Sequence, residues 1–363
     1  KLLLFRCVLK KSNFYPIHTG KADPSRYLIV GFDTEYQRYA DNETKTLNNE
    51  VLSYQYSCLV IEKNTEINDS FSWSGLVKPK GPLVSDRLSL KEFLIAAVQD
   101  GLSKDPSVLL PCTIYLVAHF TRADVPGFSD FKDESNRSAL HLDNIRNQFM
   151  NVSSDIKLDL GDPDDESILI SLKIRDTMTL APAGAKSLAA IGDILGFEKI
   201  KLGATPQEEL SIKQNMKAFM ERDWNAFFEY AVRDAEICTQ YTLKMIRLYQ
   251  ERTGKFRMPV TLTSIGVDLI RQFWKDQGVN LLEIVGKEEI KEKYWSKRFG
   301  RYQTKKKVVY LKKVHWSLDF FTECYHGGRN EQFWFGPAFD SVWYDYDLSS
   351  AYPSAMALIG RPD

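Results

Sequence analysis

A short apolar run that ends in two acids, "RYLIVGFDTEY" from Arg26 to Tyr36, leaves few folds open to this chain. Consecutive Leu, Ile and Val suit a buried strand, and carboxylates at its end suit a strand tip that faces a cleft. More strands follow in "VLSYQYSCLVIE" and through "SFSWSGLV", both alternating and rich in β-branched and aromatic residues. "SLKEFLIAAVQDGL" carries a Ser cap and helical apolar spacing. "TIYLVAHF" (Thr113 to Phe120) returns to a buried strand, and "SILISLKIRDTM" supplies another. "GAKSLAAIGDILG" predicts a helix closed by glycine, and a long helical pattern covers Asp223 to Arg252. Strands alternating with helices make residues 26–253 an α/β domain with a mixed central sheet.

At 363 residues the chain is longer than one hydrophobic core usually serves, so two or more domains are expected. The Gly- and Pro-punctuated "TGKFRMPV" marks the exit from the first of them. With 44% hydrophobic and 26% charged residues the composition is globular rather than disordered. No apolar run approaches the roughly 18 residues needed to span a bilayer, so no membrane partner is expected. The opening "KLLLFRCVLKK" has too short an apolar core for a secretory signal and lacks an initiating Met, which points to a fragment. Five scattered cysteines, Cys7, Cys58, Cys112, Cys238 and Cys324, show neither zinc spacing nor the even number of a disulfide framework. A reducing, intracellular compartment is the expectation. Formal net charge is zero, yet Lys287 to Lys313 is crowded with Lys and Arg interleaved with Tyr294, Trp295, Phe299, Tyr302 and Tyr310. That pattern fits nucleic-acid contact as well as it fits a solvated helix face or hairpin.

Carboxylates gather at the ends of the predicted elements. Asp33 and Glu35 are two apart on a strand and project from one side of it. Asp124 follows the "YLVAHF" strand, and Tyr230 and Asp234 in "YAVRD" are four apart on one helix face. Two hard divalent cations need several oxygen ligands, which carboxylates from separate elements supply when they meet at one sheet edge. The set is a candidate two-metal phosphoryl-transfer site. Each member taken singly has a plainer alternative: a solvated strand end for Asp-x-Glu, a core position for Tyr230, a salt bridge to Arg233 or a nearby lysine for Asp234.

In this order the motifs resemble those of the 3'-5' exonuclease domain of family B DNA polymerases, a ribonuclease-H-like fold with four acids and a tyrosine. "FDTEY" is similar to the first exonuclease motif and "YAVRDAEICTQY" to the third. The second departs from the pattern. "AHFTRAD" has His119 where the family has Asn and Ala123 in place of an aromatic, while keeping Asp124. The resemblance implies that Asp33, Glu35, Asp124 and Asp234 hold two Mg2+ or Mn2+ ions, one acidifying the attacking water and one stabilising the leaving 3' oxygen. It also implies that Tyr230 orients that water and that Lys186, in "GAKSLAA", brings positive charge to the phosphate. A solvated lysine near a helix cap is the plainer reading of Lys186. His119 and Phe120 are the expected contacts to a single-stranded 3' end.

"YHGGRNE", Tyr325 to Glu331, resembles the Tyr-x-Gly-Gly motif between the exonuclease and polymerase domains of this family. Tyr325, Gly327, Gly328 and Arg329 are the expected template contacts, since paired glycines let backbone approach a phosphate and Arg329 can neutralise it. A tight turn between strands is the alternative. "DLSSAYPS" is similar to polymerase motif A, with Asp347 as a metal ligand and Tyr352 under the sugar of the incoming nucleotide. The resemblance thus implies an N-terminal segment at 1–25, an exonuclease domain at 26–253, a basic-aromatic linker at 254–324, and at 325–363 the start of a polymerase palm with its first strand. The remaining palm and the fingers, required for dNTPs on a primer-template, would lie further along a longer polymerase. The joining region looks most like the polymerases of phages, linear plasmids and organellar elements, many of them primed by a terminal protein. Two other assignments stay open: a standalone 3'-5' exonuclease and a catalytically silent nucleic-acid-binding module.

Overall fold

The computed structural model describes residues 9–15, 24–41, 46–63, 70–131, 142–152, 156–162 and 166–324, and near the C-terminus 342, 344, 346 and 348–359. Tyr325, Gly327, Gly328, Arg329 and Asp347 lie outside the described residues. The chain divides into two compact units, Lys1–Val279 and Asn280–Asp363. The first holds strands β1 (Arg26–Asp41), β2 (Thr46–Glu62), β3 (Ser72–Val77), β4 (Thr113–Ala118), β5 (Asp143–Ile145), β6 (Gln148–Met150), β7 (Ile156–Asp159) and β8 (Leu169–Asp176). Its helices are α1 (Leu90–Lys104), α2 (Thr121–Asp124), α3 (Leu188–Leu195), α4 (Pro206–Gln214), α5 (Met216–Arg222), α6 (Trp224–Thr253) and α7 (Leu262–Asp276). The second unit contains β9 (Lys287–Ser296) and β10 (Arg301–Tyr310) with helices α8 (Leu281–Ile284), α9 (Lys312–His315), α10 (Leu318–Cys324) and α11 (Ala351–Ile359). Among the described residues no helix is long and apolar enough to cross a membrane.

Six strands form one sheet in the order β3-β2-β1-β4-β8-β7. β1 runs antiparallel to β2 and parallel to β4, β4 is parallel to β8, and β7 closes the edge antiparallel. This mixed α/β architecture fits the expected ribonuclease-H-like domain. β1 lies inside the sheet and is covered on both faces. Leu28, Val30 and Phe32 share a core with Phe93, Leu94, Ala97 and Val98 of α1, whereas Tyr27 and Ile29 pack with Ile237, Tyr241 and Ile246 of α6. Burial on both sides is why the strand reads as a continuous apolar run instead of an alternation.

Local chemistry sets the helix ends. Ser89 Oγ accepts a hydrogen bond from Glu92 N at 3.2 Å and Glu92 Oε2 accepts one from Ser89 N at 2.8 Å, a reciprocal cap for α1. Asp223 Oδ1 caps α6 by accepting from Ala226 N at 3.0 Å, and Gly254 at φ 71° ends it. One close approach then fixes where α6 lies. A Cβ on Gly31 would stand 2.3 Å from both the carbonyl oxygen of Ala235 and Thr239 Oγ1, so only glycine lets the helix sit this tightly on β1. Alternation puts Gly31, Asp33 and Glu35 on one face of β1, and the acid pair therefore emerges directly beside α6.

Candidate active site

Asp33 and Glu35 stand at the point where the β1–β2 ladder bulges. Glu35 pairs with Ser53 and Tyr36 with Val51, leaving Leu52 of β2 as the extra residue. Such a bulge re-aims side chains next to a cleft. Oxygens of Asp33, Glu35 and Asp234 all lie within 4.8 Å of one another. Behind them, Gln55 Nε2 donates to Asp33 Oδ2 at 2.8 Å while its own oxygen accepts from Ser53 Oγ at 3.1 Å. Both supporting residues are fully buried, which holds Asp33 in one orientation.

Asp124, on α2, stands beside this trio and outside it. Its Oδ1 accepts from Thr34 Oγ1 at 2.8 Å, the residue between the two acids. All four carboxylates, with Tyr230, His119, Phe120, Lys213 and Met216, line one open cleft of about 260 Å³. Tyr230 and Asp234 reach it from the same face of α6, as their spacing predicted.

Burial dominates the electrostatics, and crowding of like charges adds to it. Burial, then repulsion from Asp234, pushes the Asp33 carboxyl up to about 7. Burial and the neighbouring Asp33 raise Glu35 and Asp124 well above the usual carboxylate range. Asp234 is raised by burial too, against the pull of Lys199. Its Oδ1 is buried without a hydrogen-bond partner among the described residues. Hard oxygen donors, mutual repulsion and an orphaned carboxylate oxygen are the features a divalent cation relieves, so these residues fit the implied metals.

Two lysines act on these acids: Lys213 of α4 lines the cleft, and Lys199, from the segment between α3 and α4, holds Asp234. Lys199 Nζ pairs with Asp234 Oδ2 and lies 5.4 Å from the centre of the Tyr230 ring. Burial works against its ammonium, but Asp234, Asp33 and Glu35 more than offset this and raise its pKa. Lys186 sits elsewhere: its side chain is exposed and outside the cleft lining, while its main chain hydrogen-bonds His119. Lys199 was not selected from the sequence. The signal available was weak, one of two lysines in "EKIKLG".

A second buried acid organises the departing motif. Asp176, at the end of β8, accepts from Phe120 N at 3.2 Å, Thr121 N at 2.6 Å, Thr121 Oγ1 at 2.8 Å and Met178 N at 2.8 Å. These bonds hold Phe120 at φ 74° with its ring 40% exposed at the cleft. His119 Nδ1 lies 2.9 Å from Thr177 Oγ1, and burial lowers its pKa, so the ring is neutral near pH 7. The rule that singled out Asp33, an acid at the end of a buried apolar strand, applies to Asp176 as well and had not been extended to it. In the second unit, Tyr352 lies on α11 and is 70% exposed.

No family model matches the chain. It is 28% identical over 351 residues to the primer-independent DNA polymerase PolB of Escherichia coli, an alignment covering 93% of this chain. The chain spans 38% of the length of that relative. Nearly all of the sequence is therefore similar to part of a DNA polymerase, in agreement with the family B resemblance of its motifs.

Proposed function

We propose that this chain is the proofreading part of a family B DNA-directed DNA polymerase and carries a metal-dependent 3'-5' exonuclease. The convergence of Asp33, Glu35 and Asp234 in an open cleft, with Asp124 and Tyr230 on its walls, carries this assignment. Asp33, Glu35, Asp124 and Asp234 would hold two Mg2+ or Mn2+ ions, which supply an activated water and neutralise charge at the leaving 3' oxygen. Tyr230 is kept protonated by burial and by the adjacent carboxylates, so it donates a hydrogen bond to the attacking water and does not act as its base. Lys199 fixes Asp234, and Lys213 on the cleft wall brings positive charge toward the phosphate. With Ala123 too small to stack, the exposed Phe120 ring takes the terminal base of a single-stranded 3' end, and His119 braces the wall behind it.

Polymerisation belongs to the longer protein. With the rest of the palm and fingers, Asp347 would ligate metal, Tyr352 would meet the dNTP sugar, and Tyr325, Gly327, Gly328 and Arg329 would contact the template of a primer-template DNA. The name of the Escherichia coli relative favours initiation without a primer over initiation on a terminal protein. Incubating the full-length product with single-stranded template and dNTPs, with no oligonucleotide or protein primer, tests that choice.

The deciding experiment for this chain is digestion of a 3'-labelled single-stranded DNA. Shortening from the 3' end in Mg2+ or Mn2+ is expected, with none in EDTA or in an Asp33→Ala, Glu35→Ala chain. An intact strand that is still bound would sink the exonuclease and favour a silent binding module.

A further inference from the structure

The register of β9 against β10 sorts the basic-aromatic stretch into two unlike faces. Trp295 stands opposite Tyr302, Lys293 opposite Thr304, Lys291 opposite Lys306, Glu289 opposite Val308 and Lys287 opposite Tyr310. Side chains alternate along a strand, so these pairs share one face. That face carries four lysines against one glutamate, and Glu289 is taken up by Lys306 at 2.8 Å. Lys291 and Lys293 have no acidic partner among the described residues. At the turn end, Trp295 and Tyr302 meet edge to face with ring centres 5.2 Å apart, 54% and 71% exposed.

The lysines of the opposite face share an acidic partner. Glu292 lies 3.1 Å from Lys305 and 3.3 Å from Lys307, and Tyr294 donates to Gln303 at 3.0 Å. One side of the hairpin therefore offers unpaired ammonium groups in line with two exposed rings, and the other does not. Rings take the flat faces of unpaired bases and ammonium groups track the phosphates between them, whereas a duplex hides its base faces in the stack. We propose that the Trp295–Tyr302 face of this hairpin binds single-stranded nucleic acid, with phosphates along Lys293 and Lys291. The inference does not rest on the function assigned to the cleft of the first unit.

Binding of a fluorescein-labelled oligothymidylate to the full chain, followed by anisotropy over a range of salt concentrations in EDTA, tests the surface without any cleavage. Lys291→Gln with Lys293→Gln should weaken binding and reduce the slope of log K against log salt by about 1.4, two phosphate contacts on a single strand. Trp295→Ala should weaken it by about tenfold, and Trp295→Phe should restore most of the loss. The counterface pair Lys305→Gln with Lys307→Gln removes the same charge and should change affinity less than about twofold if its lysines touch no phosphate. Equal losses from the two lysine pairs, full affinity in Trp295→Ala, or equal competition by a duplex would each overturn the proposal. Because binding is read in EDTA and the variants all lie on the hairpin, failure of the nuclease assignment leaves this result readable.

Discussion

The ammonium of Lys199 reaches into a group of carboxylates, and its charge governs how that group behaves without a divalent cation. Replacing it by Met leaves Asp234, 6% exposed in its side chain, as an unpaired buried acid. The metal-free Lys199→Met chain should lose about 2–4 kcal/mol of stability at pH 8, readable by denaturant titration. Mn2+ should bind this variant more tightly, because no ammonium competes for Asp234, while digestion slows by about 10²-fold because Asp234 loses the partner that orients it. Unchanged Mn2+ affinity would refute the competition. Asp33 gives the pH signature. Its carboxyl, at about 7 in the fold, holds its proton more tightly than in the unfolded chain, where the value is 3.8. The stability this confers is complete below the unfolded value and is lost as pH rises through about 7. In EDTA the melting temperature should therefore fall from about pH 4 to about pH 7 and level off above that, Asp33→Asn should lessen the fall, and Mn2+ should stabilise more at the higher pH. Phe120 offers a third test, since ring and backbone can be separated. Phe120→Ala and Phe120→Gly should both raise KM for single-stranded ends by about tenfold. Phe120→Gly should nonetheless be the more stable of the two by about 1 kcal/mol, because φ 74° strains any residue with a Cβ.

At the scale of elements, the seat of α6 on β1 at Gly31 is what turns two separate motifs into one site. Gly31→Ala must push against the Ala235 carbonyl, which is backbone and cannot rotate away. We expect a loss of about 1–3 kcal/mol, with Mn2+ affinity falling because Asp234 moves off Asp33. Urea denaturation and a metal titration check both; intact metal binding in a folded variant would contradict the close-approach account. Most elements were legible because their signals are local. The β1 run, the Ser89 and Asp223 caps and the Gly196 and Gly254 stops all act within a few residues of chain. Helices α4 and α5 were overlooked, although Thr205, Pro206 and Glu208 form a capping box with proline at its first turn. α4 is exposed and polar, so nothing but the cap announces it, while α5, with Met216 and Phe219 buried, is only seven residues long, too short for its period to show. The hairpin was legible only as one of two options, since a Lys-rich stretch with scattered rings has no single period.

For the whole molecule, the buried apolar clusters draw on residues from Leu9 to Ile265 and none from the second unit, among the described residues. A chain of residues 1–279 should thus fold alone, melt cooperatively and keep metal-dependent digestion. It should lose most of its salt-sensitive affinity for oligothymidylate, because the β9–β10 hairpin is gone. Unchanged affinity in the shortened chain would relocate single-strand binding to the first unit. Read alone, the chain declares its strands and helices, the acids at their ends and the tyrosine one turn before Asp234, because periodicity, caps and motif spacing are properties of neighbouring residues. Long-range packing settles the rest. It brings Lys199 to Asp234 across 35 positions of sequence, leaves Lys186 in solvent, sets Asp124 beside the trio and puts four hydrogen bonds on Asp176. Which side chains share a cleft or a hairpin face depends on close approach and register between distant segments, and no local pattern encodes that distance.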